Sequence, residues 1–310
     1  MKKKVLITGA TGLIGKRIVN ELCRQGAFVR ILTTDKSKVK STFKNQFTIQ
    51  AFEWMAYDNP MMLSELMTDT DIVINLAGAN LAQKRWSKGF KEEVYNSRID
   101  TTRLIEEAIK LSRQKPECLI NSSAVGIYGF CGDEILTEDS SLGDDFLARL
   151  CRDWEMEAMK AIQYGVRVVT IRTGIVLDKK EGALPNFLTP FKFFGGVYQG
   201  NGKQWVSWIH LDDIVRLYLF AMENPKIMGA MNGSSPKPVT NKDFVKTIGS
   251  VLNKNLLLPV PGFALKIALG EFAENLLTGQ RVFPQKAFDS GFEFNYTDLK
   301  SALKDLLKKN

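Results

Sequence analysis

Lys4-Val5-Leu6-Ile7-Thr8-Gly9-Ala10-Thr11-Gly12-Leu13-Ile14-Gly15 reads as an apolar, β-branched strand that runs straight into a glycine-punctuated turn and then a helix. Leu13, Ile14, Ile18 and Leu22 recur at helical spacing until Gly26 stops the helix, and Phe28 to Leu32 forms a second strand. A βαβ unit is thus complete within about thirty residues. Further strand-like runs at 47–52, 71–76, 118–122 and 166–172 alternate with segments able to form helices. Such alternation predicts an α/β protein with a doubly wound parallel sheet.

The rest of the chain supports a globular class. Its 310 residues are 45% hydrophobic and 25% charged, the balance of soluble domains, which excludes disordered, collagen-like and low-complexity classes. No apolar run reaches the length of a membrane span, and Met1-Lys2-Lys3-Lys4 leads into β structure without a cleavable signal, so a cytoplasmic protein with no membrane partner is expected. Four scattered cysteines, Cys23, Cys118, Cys131 and Cys151, and one histidine, His210, argue against a zinc site or a disulfide framework. The net charge of +8 is concentrated: residues 1–44 carry eleven Lys/Arg against Glu21 and Asp35. No basic run with interleaved aromatics follows, so a small anionic ligand at this end is favoured over nucleic acid.

After Leu177 the texture changes. A Gly- and aromatic-rich stretch, 191–208, is followed by a helical run at 212–222 and a Pro-punctuated tail. Thr240 with Asp243 forms a capping-box pattern, and 263–277 and 299–307 read as two more helices. The expected organisation is a nucleotide-binding part, 1–178, to which 206–233 returns, and a smaller α-rich substrate domain from 179–205 and 234–310. Three helices in so short a tail cannot bury their own core, so this part is expected to pack on the sheet and wall a cleft.

Gly9, Gly12 and Gly15 sit where a dinucleotide requires them. The first permits a tight turn, the second lets backbone approach a pyrophosphate, the third lets the helix pack closely, and the N–H groups at Thr11, Leu13 and Ile14 face the phosphates. The fold is therefore of the Rossmann type. The GxxGxxG spacing within Thr8-Gly9-Ala10-Thr11-Gly12 resembles the extended short-chain dehydrogenase/reductase superfamily. Asn75-Leu76-Ala77-Gly78 resembles that superfamily's fourth-strand motif, which implies cofactor contacts at Leu76, Ala77 and Gly78. Asn121-Ser122-Ser123-Ala124 with Tyr128-Gly129 resembles its fifth-strand motif. Ser123 to Gly129, Cys151-Arg152-Asp153-Trp154-Glu155, Ser207-Trp208-Ile209-His210 and Gly279-Gln280-Arg281-Val282-Phe283-Pro284 resemble one branch nearly end to end, the YfcH-like epimerase-family proteins or atypical extended SDRs.

NAD readers usually end the second strand with an acid for the ribose 2′-hydroxyl. Here Thr33 and Thr34 stand there, followed by Asp35, Lys36 and Lys38, so hydroxyls and ammonium groups are on hand for a 2′-phosphate. NADP(H) is the expected cofactor, with NAD the alternative should Asp35 turn in.

The resemblance implies a Tyr acid/base, a Lys four residues later and a Ser that hydrogen-bonds the substrate oxygen. Ser123 matches the last, with Ser122 as runner-up, but 145–161 holds no YxxxK. Cys151 and Glu155, or Leu147 and Cys151, occupy the paired positions depending on register. Tyr296 with Lys300 is the sole YxxxK spacing in the chain and lies remote in the tail. Tyr128, Cys151, Glu155 or an ordered water are the alternative proton donors. His210 between Ile209 and Leu211 reads as a packed residue before a helix, with Asp212 and Asp213 as caps.

The glycines at 195, 196, 200 and 202 with Gln204-Trp205 suit close approach to a substrate. Val206 stands where nucleotide-sugar relatives often carry an Arg, which argues against that substrate class. The expected function is an NADP(H)-binding oxidoreductase or epimerase acting on a small carbonyl or carbinol compound, as a monomer or homodimer. The competing reading is a catalytically degenerate protein that senses NADP(H).

Overall fold

The structure, a computed structural model, describes residues 3–44, 46–56 and 58–307; Met1 and Lys2 of the basic start lie outside them. Strand β1 (Lys4–Thr8) pairs in parallel with β2 (Phe28–Thr33) on one side and β4 (Ile72–Asn75) on the other, Val5 facing Val29 and Ile72. Beyond β2 lies β3 (Ile49–Glu53), and beyond β4 lie β5 (Cys118–Ala124), strand Arg167–Thr173 and strand Gly229–Gly233. All seven run parallel. The winding direction reverses between β1 and β4, and in such sheets ligands bind outside the carboxyl ends of the strands at that reversal.

Alternation along the strands makes two cores. Val5, Ile7, Ile31, Ile74 and Ile120 face α1 (Leu13–Arg24) and helix Leu211–Glu223. Leu6, Val73, Leu119 and Val168 face α3 (Pro60–Met67), α4 (Lys88–Leu111) and α5 (Phe146–Met159), while α2 (Lys36–Thr42) follows β2. Strands buried on both faces explain the unbroken apolar runs of the sequence. A further core gathers Leu184, Phe191, Val206, Trp208, Phe244 and Leu303 from the second half of the chain. Trp208–His210 pairs in parallel with Ile175–Leu177, and Arg281–Val282 pairs in parallel with Ile135–Leu136, the latter tying the tail to the first half of the chain.

Two local expectations are corrected. Residues 263–277 form two helices, Gly262–Leu269 and Phe272–Leu277, because Gly270 has φ +64° and the Arg85 side chain fills the space where a Cβ would stand, 2.9 Å from Nε. The helix from Leu211 is capped by neither Asp212 nor Asp213: the His210 side chain accepts the Asp212 amide at 3.1 Å through Nδ1. Asp213 instead accepts the amides of Asn295 and Tyr296, both at 2.9 Å, and so fixes the tail.

Candidate active site

Gly9 has φ +65°, and a Cβ there would fall 2.5 Å from the Leu76 carbonyl oxygen; this turn and the end of β4 touch through bare backbone. At Gly15 a Cβ would fall 2.5 Å from the Gly9 oxygen and 2.8 Å from the Ala10 Cα, so the third glycine packs the helix against the turn itself. Gly12 is exposed, caps α1 without a side chain, and leaves no acid in the first helical turn. The neighbouring helices α2, α3, α4 and α5 are all capped by side chains, Asp35, Asn59, Ser87 and Asp145. An uncapped, acid-free helix start over a glycine cradle fits a phosphate group. Thr11, Leu13 and Ile14 line that start, half-exposed; Leu76 and Ala77, which follow β4, lie against Gly9, and Gly78 lies against the Arg98 guanidinium.

Thr33 and Thr34 end β2, with Thr34 exposed. Asp35, the acid that NAD recognition would need, is occupied: its carboxylate accepts the Ser37 hydroxyl at 2.5 Å and the Lys38 amide at 3.1 Å as the cap of α2. Those bonds, Ser37's first, hold its carboxyl below the ordinary value. The N-terminal charge excess also resolves. Lys3, Lys4, Lys16, Arg17, Arg24 and Arg30 are in salt bridges, whereas Lys36, Lys38, Lys40 and Lys44 form none among the described residues. The uncompensated cations thus gather on and just after α2.

At the end of β5 the polar residues are stitched into a buried network. Ser123, 3% exposed, donates through Oγ to Glu155 Oε1 on α5 at 2.6 Å. Arg172 closes on both Glu155 oxygens at 2.9 Å, and its Nη1 donates to the Tyr128 hydroxyl at 3.0 Å, which in turn donates to Asn232 at 2.7 Å. Burial works against the charge on Arg172, but its bonds and attraction to Glu155 outweigh this and raise its proton affinity above the ordinary value. Ser122 points to the opposite sheet face, 2.9 Å from the Tyr218 hydroxyl. A second ladder, Thr8 to Asn75 to Asn121 with Thr102 and Trp154, joins β1, β4, β5, α4 and α5 beneath the site.

Leu147, Cys151 and Glu155 share the i,i+4 face of α5 that turns toward the end of β5. Leu147 lies against Gly126, Cys151 is bonded to the Ala124 backbone, and Glu155 meets Ser123. Burial pushes the Cys151 thiol up to about 12, with Glu155 adding to the rise, and burial likewise pushes the Tyr128 hydroxyl up to about 12. Neither releases a proton near neutrality. Tyr296, of the remote YxxxK spacing, is stacked on His210 at 3.8 Å.

Residues 5–232 match the model of the NAD dependent epimerase/dehydratase family. The chain belongs to that family. Residues 260–306 match a second model, described as a domain of unknown function, DUF1731. The epimerase family protein SDR39U1 homolog, chloroplastic, of Arabidopsis thaliana is 40% identical over 98% of this chain and 86% of its own length. Epimerase family protein YfhF of Bacillus subtilis is 39% identical over 98% and 97%. Among solved structures, human epimerase family protein SDR39U1 (isoform 2) with NADPH superposes with a TM-score of 0.83 at 29% identity, covering 98% of both chains. The family resemblance and the Rossmann-type α/β fold read from the sequence both hold.

For this epimerase-family chain the sequence reading overlooked Arg172 and Asn232. A signal existed for the first, since Arg172 is the one interior charge of an apolar strand and a buried guanidinium needs an acid. Among the described residues no helix is long and apolar enough to cross a membrane.

Proposed function

We propose that this chain is an NADP(H)-dependent oxidoreductase or epimerase acting on a small carbonyl or carbinol compound. The observation that carries the reading is the pairing of an uncapped α1 start with unpaired lysines beside Thr33 and Thr34 while Asp35 caps α2. Gly9, Thr11, Gly12, Leu13, Ile14 and Gly15 would hold the pyrophosphate, Leu76, Ala77 and Gly78 the adenosine side, and Thr33, Thr34 and Lys36 the 2′-phosphate. Lysines recognise that phosphate as point charges. When bound, the dinucleotide supplies two-electron exchange with a carbinol or carbonyl carbon. Ser123 is the proposed catalytic residue: its own proton is engaged by Glu155, so its lone pairs accept the proton of a substrate hydroxyl while Oγ passes its proton to the carboxylate. In the carbonyl direction the transfer reverses.

Titration with NADPH and NADH tests the cofactor, and clearly tighter NADH binding overturns it. Incubation with NADPH and a panel of aldehydes, ketones and quinones tests the chemistry, with Ser123→Ala expected to lower turnover about 10²-fold. A second reading, a catalytically degenerate NADP(H) sensor, is favoured by the burial of Ser123 and the high proton affinities of Tyr128 and Cys151. NADPH binding with no turnover of any substrate class puts it first.

A further inference from the structure

Arg98, on α4, is a cation in search of an anion. Its Nη1 donates to two backbone carbonyls, Ala79 and Val94, both at 3.1 Å, and its guanidinium lies 5.2 Å from the Trp154 ring centre. Among the described residues Nε and Nη2 make no hydrogen bond, and the guanidinium makes no salt bridge. Burial lowers the proton affinity of this guanidinium, the signature of a charge left without a counter-ion. Arg172 shows the contrast, since its acid partner is in place.

The surroundings hold Arg98 in position. Trp154 is fixed by its own Nε1 bond to Thr102 at 2.9 Å, and the loop after β4 is pinned where the Ala79 amide donates to Ser97 Oγ at 3.0 Å. A Cβ on Gly78 would stand 2.9 Å from the guanidinium carbon, so the bare backbone of Gly78 is what lets Arg98 lie against the loop. Leu76 and Ala77 of the same loop touch Gly9, and on its other side Arg98 is within electrostatic reach of the Cys151 thiol. It therefore stands between the loop that touches the Gly9 turn and the Cys151 face of α5.

We propose that Arg98 is a ligand-binding residue that takes a phosphate or carboxylate group through its free Nε and Nη2 edge. That edge offers two parallel donors, the geometry that favours bidentate oxyanions. The oxyanion comes either from the dinucleotide's pyrophosphate or from a separate acidic substrate; the proposal rests on the cofactor reading only for the first source.

The test compares the wild-type chain with Arg98→Met, which keeps an apolar stem over Trp154, Arg98→Lys, which keeps the charge, and Arg98→Gln, which keeps a polar end without the charge. Should Arg98→Met fail to fold, Arg98→Gln carries the comparison, because its amide can still donate to a backbone carbonyl that Arg98 Nη1 now meets. If the pyrophosphate is the partner, NADPH and NADH affinities both fall about 10-fold or more in Arg98→Met and Arg98→Gln and recover in part in Arg98→Lys. If a separate anion is the partner, NADPH affinity is unchanged, and inorganic phosphate or acetate raises the melting temperature of the NADPH-loaded wild type but not of Arg98→Met or Arg98→Gln. Equal behaviour of wild type and variants in both measurements overturns the proposal. A wild type that binds no NADPH overturns the cofactor reading instead, and the anion measurement is then read on the chain alone.

Discussion

Glu155 and Arg172 are shielded from water on every side, so each charge is tolerable only because the other is there. Glu155→Gln leaves an uncompensated guanidinium and is expected to cost about 3–5 kcal/mol in urea unfolding, whereas Glu155→Gln with Arg172→Met recovers most of it. Full stability of the single variant would show that the pair is not interdependent. Ser123→Ala removes only a neutral donor to this carboxylate and costs about 1–3 kcal/mol, which separates a stability defect from a turnover defect. His210 offers the pH handle. Burial holds its imidazole below the ordinary 6.5 despite Asp212, Asp213 and Asp305 around it, with Arg17 adding to the depression. A histidine depressed in the folded state takes up its proton more readily unfolded, so its contribution is intact above 6.5 and is lost as the pH falls below that. His210→Asn keeps a side-chain cap on the helix from Leu211 and is expected to flatten melting temperature against pH between about 5 and 7. An unchanged profile would assign the acid sensitivity elsewhere. At this scale the sequence was half legible: Ser123 and Glu155 stood out by motif and spacing, but their joining to Arg172, Tyr128 and Asn232 spans separations of up to 104 residues that no local pattern encodes.

Element α1 depends on its third glycine more than on any apolar residue of its buried stripe. A valine at Gly15 would drive its Cβ into the Gly9 carbonyl, and relief requires moving either the helix or the turn. Gly15→Val is therefore expected to abolish dinucleotide binding in a chain whose circular dichroism still shows helix and sheet; retained affinity would remove the turn from the site. Element α2 carries the selectivity. Lys36→Ala with Lys38→Ala should weaken NADPH more than NADH, and the difference should shrink in high salt because both side chains are exposed. Equal losses would make these lysines ordinary surface. The strands were legible because β-branched runs between two covered faces have no polar alternation to confuse them. The break at Gly270 was not, since a lone glycine inside a helical pattern is tolerated unless a neighbour such as Arg85 claims the space. The cap at His210 was missed for a similar reason: Asp212 and Asp213 are the commoner cap residues, and only the packing of the tail shows that Asp213 is engaged by Asn295 and Tyr296.

Over the whole molecule, the segment that matches DUF1731 reaches back to the sheet half at several places, one of them an aromatic cluster. Phe272 packs 5.4 Å from Trp86, Trp86 meets Phe146 edge-on at 5.4 Å, and Lys91 pairs with Glu271 at 2.6 Å. Leu147, on the face of α5 that would carry the superfamily's acid/base pair, packs against the same cluster. Sequence made the helices of this tail visible but not their docking, because aromatic residues 186 positions apart carry no periodicity that links them. The proposed dinucleotide cradle, by contrast, is drawn from the ends of β1 and β4 and the start of α1 and includes none of these aromatics. The two halves of the site should therefore fail separately. Trp86→Ala is expected to cost about 3–5 kcal/mol, because a large buried ring leaves a cavity that its neighbours only partly fill. Phe272→Ala costs less, being partly exposed. Combined, the two should fall short of additivity by about 1 kcal/mol or more, since each removes the other's partner. Both variants should keep wild-type NADPH affinity while turnover, once a substrate is in hand, drops. Strict additivity would mean that Phe272 does not clamp the tail to α4. Loss of NADPH affinity equal to the loss of turnover would mean that the docked tail shapes the cofactor half as well, and that the site cannot be divided at Trp86.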